Sequence, residues 1–380
     1  MLLFSRKFYR YNISIIDVFK LAEANLLILI PIITIMGIGM VMLYSAAGGS
    51  MNPWASKQIA HILMFIPVTI IIATLNPKFL YRVAWLPYLA TLVLLCVVLV
   101  AGHHAMGATR WLNIGFFKLQ PSEFIKFSLV LVLSRYFHSS TSIHVGSIFK
   151  MIPPVIIVMI PIGLVVIQPD LATAVICFLI ASVVMFVSGI QKKIIIMCGG
   201  VAVLAMPFAW LKMHDYQKQR IYTFLNPDLD PLGAGYNIIQ SKIAIGSGGL
   251  FGKGLIAGGQ SQLNFLPEHQ TDFIFTMVAE ELGLFVCIII TICYAMISFY
   301  GFWVANNSAA MFNKILAVAS GSYFFIHFSV NACMVTGLIP VAGIPMPMLS
   351  YGGSAVATSM ICLGFMLNAD INKDFNGYGK

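Results

Sequence analysis

"TDFIFTMVAEELGLFVCIIITICYAMISFY", residues 271–300, opens on an acid, meets two more within a few turns and then runs apolar to its end. From Phe273 onward it is long enough to cross a hydrocarbon layer, which takes about 20 apolar residues as a helix. Backbone amides and carbonyls find no water there, so a helix that satisfies them internally is the expected structure. The rest of the chain agrees. Of its 380 residues, 59% are hydrophobic and 9% charged, and the mean hydropathy is +0.92; soluble domains use about 45–50% apolar residues. Asp272, Glu280 and Glu281 are therefore out of character with their surroundings.

About ten such spans can be drawn, over residues 24–46, 57–75, 82–101, 122–137, 152–167, 171–188, 194–211, 273–300, 314–338 and 352–369. The expectation is an all-α, polytopic integral membrane protein with a single domain over 1–380 and a long extracytoplasmic loop, 212–271, between the seventh and eighth spans. Residues 1–21 carry Arg6, Lys7, Arg10 and Lys20 but no short apolar core with a small-residue cleavage site, so the first span should stay as an anchor.

Lys and Arg in the short connections set orientation. With the N-terminus in the cytoplasm, the inner segments hold Arg6, Lys7, Arg10, Lys20, Lys78, Arg82, Arg135, Lys150, Lys192, Lys193, Lys314, Lys373 and Lys380, against Lys57, Arg110 and Lys118 outside. Both termini of this multi-pass protein are expected in the cytoplasm. The net charge of +9 then reads as contact with anionic membrane lipid, not with nucleic acid. The seven cysteines fall within or at the ends of spans without a CxxC pair, so they read as small packing residues and not as a disulfide framework.

This topology sends the polar stretches outward: "GATRWLNIGFFKLQPSE" (107–123), "QPD" (168–170), the 212–271 loop and "GIPMPMLSYGG" (343–353). Chemistry is expected at the outer surface, where ATP is absent and energy must arrive with the substrate. The glycine-rich run 233–259 is no Walker A loop, because Ser247 stands where the first glycine belongs and Gly254 follows Lys253 where Ser or Thr is needed. It reads as a flexible or re-entrant loop needing close backbone approach or, second, as a loop presenting amides to a lipid diphosphate.

Asp272 has two readings, a helix N-cap and a chemical acid; no Glu or Gln follows to complete a capping box. Glu280 and Glu281 lie two turns deeper and should face a polar cavity or partners. Glu123 and Lys126, three residues apart, suit an ion pair on one helix face, while Arg110 and Lys118 just before them make a cationic cluster suited to phosphate. Asp170 reads as the cap of the sixth span, and His327, alone in the ninth, as a packing residue. "PMPMLSYGGS" (345–354), which contains Ser350, suggests either a shaped non-helical cavity wall or a helix-breaking turn. The run "AVASGSYFF" (317–325) offers small residues for close packing. Another span of the chain is its plainer partner; the expectation drawn is that Ala317 and Gly321 also serve a partner's anchor.

Taken together, "GATRWLNIG", "QPSEFIK", "QPDLATA", "DYQKQRIYTFLNPDLDPLGAGYNIIQSKIAIGSGGLFGKG", "GGQSQLNFLPEHQTDFIFTMVAEELG" and "GIPMPMLSYGGSA" resemble the SEDS (shape, elongation, division, sporulation) family over nearly the whole chain. "GQSQLNFLPE" favours the family's elongation member over its division member. The sequence departs from the family pattern at Gln270, where a His usually precedes T-D-F, and at Ala172, where Q-P-D-L is usually followed by Gly.

The resemblance implies a peptidoglycan glycosyltransferase of the bacterial cytoplasmic (inner) membrane that polymerises lipid II at a site facing the periplasm or cell exterior, working with a class B penicillin-binding protein and other elongation-machinery proteins. It places the family's essential aspartate on Asp272 and its P-S-E-x-x-K pair on Glu123 and Lys126. An α-linked donor and a β-linked polymer require inversion, hence one general base and neutralisation of a leaving diphosphate. Asp272 would be the base. Arg110, Lys118, Lys126 and Arg220 would meet the diphosphate, and Glu123, Glu280, Glu281 and Ser350 would line or support the substrate cavity. A divalent cation, Mg2+ or Mn2+, could bridge diphosphate and carboxylate, although the sequence shows no ligand cage. The alternative is a flippase for the lipid-linked precursor, which should carry charged groups on both faces and between them; here the inner half is nearly featureless.

Overall fold

The structure is a computed structural model, described over residues 26–101, 103–105, 108–114, 117–140, 151–190, 211, 215–230, 233–259, 266 and 268–377. The helices are α1 (Leu26–Ala46), α2 (Trp54–Thr74), α3 (Pro77–Val83), α4 (Trp85–Ala101), α5 (Pro121–Ser140), α6 (Ile152–Ile167), α7 (Leu171–Val187), α8 (Asp215–Leu225), α9 (Ala234–Ser247), α10 (Ile274–Asn307), α11 (Met311–Val335) and α12 (Gly353–Ile371). Among the described residues, five helices are long and apolar enough to cross a membrane, or six if the bent pair α3 and α4 is one span. Nine of the expected spans coincide with helices or, for the third, with that bent pair; the span expected over 194–211 lies outside the described residues except for Leu211.

The helical expectation has one exception. Residues 103–119 form three short antiparallel strands, β1 (His103–Ala105), β2 (Ala108–Ile114) and β3 (Phe117–Leu119), between α4 and α5. Of the long loop, α8 and α9 are described and helical.

Burial explains which helices tolerate polar residues. α12 is almost wholly enclosed and α11 largely so, and α5, with Ser122, Glu123, Lys126, Ser128 and Ser134 all buried, sits among its neighbours as well. α12 lies close to α2 because Gly364 leaves room: a Cβ there would stand 3.0 Å from Ile72. Asn368 then donates to the Ile72, Ala73 and Leu75 carbonyls at 3.0, 3.1 and 2.6 Å, closing the carbonyl end of α2.

The small-residue run on α11 packs within the chain. A Cβ on Gly301 of α10 would stand 2.7 Å from the Ala317 carbonyl oxygen and 3.1 Å from the Gly321 Cα. Ala317, Ala319 and Ser320 are fully buried. Ala317 and Gly321 therefore have no surface to offer a partner, which corrects the expectation for this face.

α10 is continuous only in outline. Gly283 breaks it at φ 79°, ψ −178°, about 14 Å below its start at 1.5 Å per residue. The glycine-rich segment after α9 fills the break. Lys253 and Gly254 amides donate to the Glu280 and Glu281 carbonyls at 3.0 Å each, and the Leu284 and Phe285 amides donate to the Gly249 and Leu250 carbonyls at 3.0 and 3.1 Å. A Cβ on Gly248 would fall on the Ala279 carbonyl, and one on Gly252 on that of Glu281. The glycines permit backbone-to-backbone contact, which is what irregular chain at membrane depth requires. Leu250 and Phe251 point outward, exposed.

Candidate functional site

At the start of α10 the chain makes one tight turn around a single carbonyl. Glu268, at φ 55°, offers its carbonyl oxygen to the amides of Thr271, Asp272 and Phe273 at 3.1, 3.1 and 3.4 Å. Its carboxylate accepts from the Gln270 amide group and the Thr271 hydroxyl, each at 3.2 Å.

The carbonyls of residues 270, 271 and 272 are each held from other elements. Gln270 O accepts from the Tyr351 amide at 3.0 Å, Thr271 O from the Ser350 hydroxyl at 2.7 Å and Asp272 O from the Asn331 side chain at 2.8 Å. The 343–353 segment is itself fixed. Ser350 Oγ accepts from the Met346 amide at 2.8 Å, and the Gln58 side chain donates to Ser350 O at 2.8 Å and accepts from Gly352 N at 3.3 Å. "PMPMLSYGGS" is thus a non-helical wall whose hydrogen bonds position the Asp272 turn.

Asp272 does not cap the helix. The N-cap of α10 is Phe273, with no side-chain cap hydrogen bond. The Asp272 carboxyl is half-buried, and its pKa is pushed from 3.8 up to about 7, first by desolvation and then by the Glu268 carboxylate. A hydrogen bond from Thr271 and the Arg220 charge oppose the shift, and Asp170 adds to it slightly. A carboxyl poised near neutrality can take and return a proton under ordinary conditions.

A second ionisable group of residues lies inside the bundle. Lys126 Nζ is 2.7 Å from Glu123 Oε1 and 3.2 Å from His327 Nε2, and it stands over the Tyr323 ring at 5.7 Å. Lys126 is 1% and Glu123 4% exposed, so this pair is buried. Thr358 donates to the Glu123 carbonyl at 3.2 Å, and Tyr323 and Ser359 hydroxyls meet at 3.1 Å. The ion pair expected from spacing is present, but His327 is not alone; it is the third member. Asp170 caps α7, accepting from the Thr173 amide at 3.3 Å and hydroxyl at 2.9 Å, with Ser122 at 3.4 Å.

Glu280 and Glu281 face the inserted loop. Glu280 pairs with Lys253 at 2.8 Å, and Glu281 accepts from the Ser45 hydroxyl and, at 3.2 Å, from the Ile256 amide. Arg220 is exposed on α8. Arg110 lies in β2 and Lys118 in β3; their side chains lie outside the described residues. Among the described residues no group of three or more His, Cys, Asp or Glu side chains could hold a metal ion.

The sequence singled out neither Gln58, Tyr323 nor Asn331, and His327 read from it as a packing residue. One signal was available: Tyr323, His327 and Asn331 recur every fourth residue in an otherwise apolar span, so they share a helix face. What that face met was not in the spacing.

Fold and site together define a polytopic helical membrane protein that presents a half-buried acid on a hydrogen-bonded turn at the start of α10. The family description for cell cycle proteins of the FtsW, RodA and SpoVE type matches residues 23–374. The chain is 38% identical to peptidoglycan glycosyltransferase MrdB of Escherichia coli (strain K12), over 86% of this chain and 88% of that one. It is 31% identical to stage V sporulation protein E of Bacillus subtilis, over 92% and 97%. A chain solved in work on structural coordination of polymerization and crosslinking by a peptidoglycan synthase complex superposes with a TM-score of 0.78 at 26% identity, covering 92% of this chain and 98% of that one. The rod shape determining protein RodA of Thermus thermophilus shares the fold, with a TM-score of 0.69 at 23% identity over 92% and 97%. The chain belongs to the SEDS family of FtsW, RodA and SpoVE relatives.

Proposed function

We propose that this chain is a peptidoglycan glycosyltransferase of cell elongation, polymerising lipid II at the outer face of a bacterial cytoplasmic membrane, with both termini in the cytoplasm. The names of its relatives support the activity. The observation that carries the mechanism is the Asp272 carboxyl, half-buried, lifted to about 7 and presented by a turn whose carbonyls at 270, 271 and 272 are held.

In this reading the ionised Asp272 removes the proton from the acceptor 4-hydroxyl as that oxygen attacks the donor's anomeric carbon. The bond from that carbon to the diphosphate breaks, and its electron pair leaves with the diphosphate. Attack opposite the leaving group inverts the centre, so one base suffices. Exposed Arg220, with Arg110 and Lys118, would neutralise the leaving group. Lys126 is enclosed by Glu123, His327 and Tyr323, so a role in fixing α5 against α11 suits it better than contact with diphosphate. Glu280 and Glu281 would support the cavity by holding the inserted loop. A divalent cation, if one takes part, would have to share substrate oxygens.

A class B penicillin-binding protein is the proposed partner. The similar chain from a synthase complex supports it. The test is glycan synthesis from lipid II by the full chain, purified with that partner, with and without Asp272→Asn. Polymer with Asp272 and none with Asn is expected, and activity should rise with pH through about 7 because the base must be ionised. Undiminished polymer from Asp272→Asn would end the assignment. Movement of lipid II between leaflets without any polymer would favour a flippase instead.

A further inference from the structure

Three donors hold the carbonyls of residues 270–272, and one of them also reaches elsewhere. Asn331 is fully buried on α11. Its Nδ2 donates to Asp272 O at 2.8 Å and to Ile344 O at 2.6 Å. The two hydrogens of one amide thus join the turn that carries the acid to the loop that faces it. The residue before Ile344 is Gly343, at φ +67°, and a Cβ built there would stand 3.2 Å from Asp272 Oδ2. The loop backbone therefore lies against the carboxylate, and Asn331 sets how close it comes.

Resting on the reading of Asp272 as the base, we propose that Asn331 is a positioning residue for it, fixing the carboxylate against the backbone at Gly343. Asn supplies two donors from one short side chain. Leu has nearly the same bulk and supplies none, and Asp would turn oxygens toward two carbonyls. Gln is a methylene longer and would displace the loop. The charged groups that act on the carboxylate are Glu268 from its own turn, Arg220 from α8 and Asp170 from the start of α7. None of them is bonded to Asn331, so a change at Asn331 acts through placement.

The experiment uses the full chain purified with its cross-linking partner, given lipid II across a range of pH. Asn331→Leu should lower kcat about a hundredfold, the loss that a displacement of about 1 Å brings, while KM changes little. The acidic limb of its pH profile should move down, because a carboxylate released from the loop regains water. Gly343→Ala keeps Asn331 and adds a methyl beside Oδ2, so its limb should move up. Opposite movements support the proposal; should Asn331→Leu fail to fold, Asn331→Ser, whose shorter side chain cannot bridge both carbonyls, takes its place with the same downward limb expected. If Asp272→Asn is inactive while Asn331→Leu, or Asn331→Ser in its place, keeps the parental limb, Asn331 is not a positioning residue, whatever Gly343→Ala does. If Asp272→Asn is active, the base assignment itself falls.

Discussion

Glu123 and Asp272 stand at the starts of two helices that end at the same side of the bundle, and the fold treats them in opposite ways. Glu123 is buried with its charge matched: Lys126 is 2.7 Å away, and His327 closes the other side of the ammonium. Asp272 keeps a partial opening to the surface, has a like charge on Glu268 nearby and is raised to about 7. Around Asp272 the backbone is held and the carboxyl is left available; around Glu123 the carboxyl itself is held. A charge neutralised inside the bundle serves architecture, because its ion pair is already formed. A carboxyl kept unneutralised by a rigid surround is unfavourable for the fold and suited to proton transfer.

The largest effect that tests this contrast is on rate. Asp272→Asn should lower glycan synthesis about a thousandfold or more, the scale of a lost general base, with normal yield of folded protein by size-exclusion chromatography. Lys126→Met should do the reverse. Removing one partner of a buried pair destabilises by about 3–5 kcal/mol, so folded yield and thermal stability should fall, and the fraction that folds should retain turnover. A Lys126→Met protein that is stable and inactive would break the contrast and move Lys126 to the chemistry.

Exchanging the pair, Glu123→Lys with Lys126→Glu, should recover part of the stability that either single change loses. His327 then faces a carboxylate at the position of the ammonium, so recovery will be incomplete. No recovery in a thermal melt would mean that Lys126 depends on His327 and Tyr323 more than on Glu123.

Gly283→Ala should destabilise by about 1–3 kcal/mol, as overpacking does, because its Cβ would fall on the Gly252 amide and because φ is positive. The damage should concentrate in the inserted loop, read as faster hydrogen exchange over 248–256 with little change over α11. Unchanged exchange there would show that the loop does not depend on the helix break.

The smallest effect concerns pH and stability. Asp272 has a folded pKa of about 7 against an ordinary 3.8, so between those values the folded state holds a proton that the unfolded state has lost, and stability falls as pH rises through the window. Asp272→Asn removes that liability. Its melting temperature should exceed the parent's at pH 8, and the gap should close as pH falls toward 4. A gap of equal size at both ends would mean that the carboxyl is not strained in its ionised form.

Much of this was legible in the sequence for a physical reason. Hydrocarbon leaves a helix no choice but to satisfy its own backbone, so apolar runs determine spans directly, and the helices from α1 to α12 that cross the bundle appear close to where composition puts them. Spacing along one helix is equally local, so the Glu123–Lys126 pair at i,i+3 and the Asp170 cap at the start of α7 could be read off the chain. The resemblance of the motifs to the SEDS family singled out Asp272.

Only the tertiary structure decided what each polar group meets. The glycines from 248 to 254 look the same whether their amides await a diphosphate or, as here, fill the break at Gly283. His327 is a lone histidine until α11 lies beside α5. The small face of α11 fits a partner's helix or α10 equally well, and α10 occupies it. Asn331 and Ser350 carry no sign in their own stretches that they hold Asp272, because hydrogen bonds between segments 59 and 79 residues apart are formed only when the bundle closes.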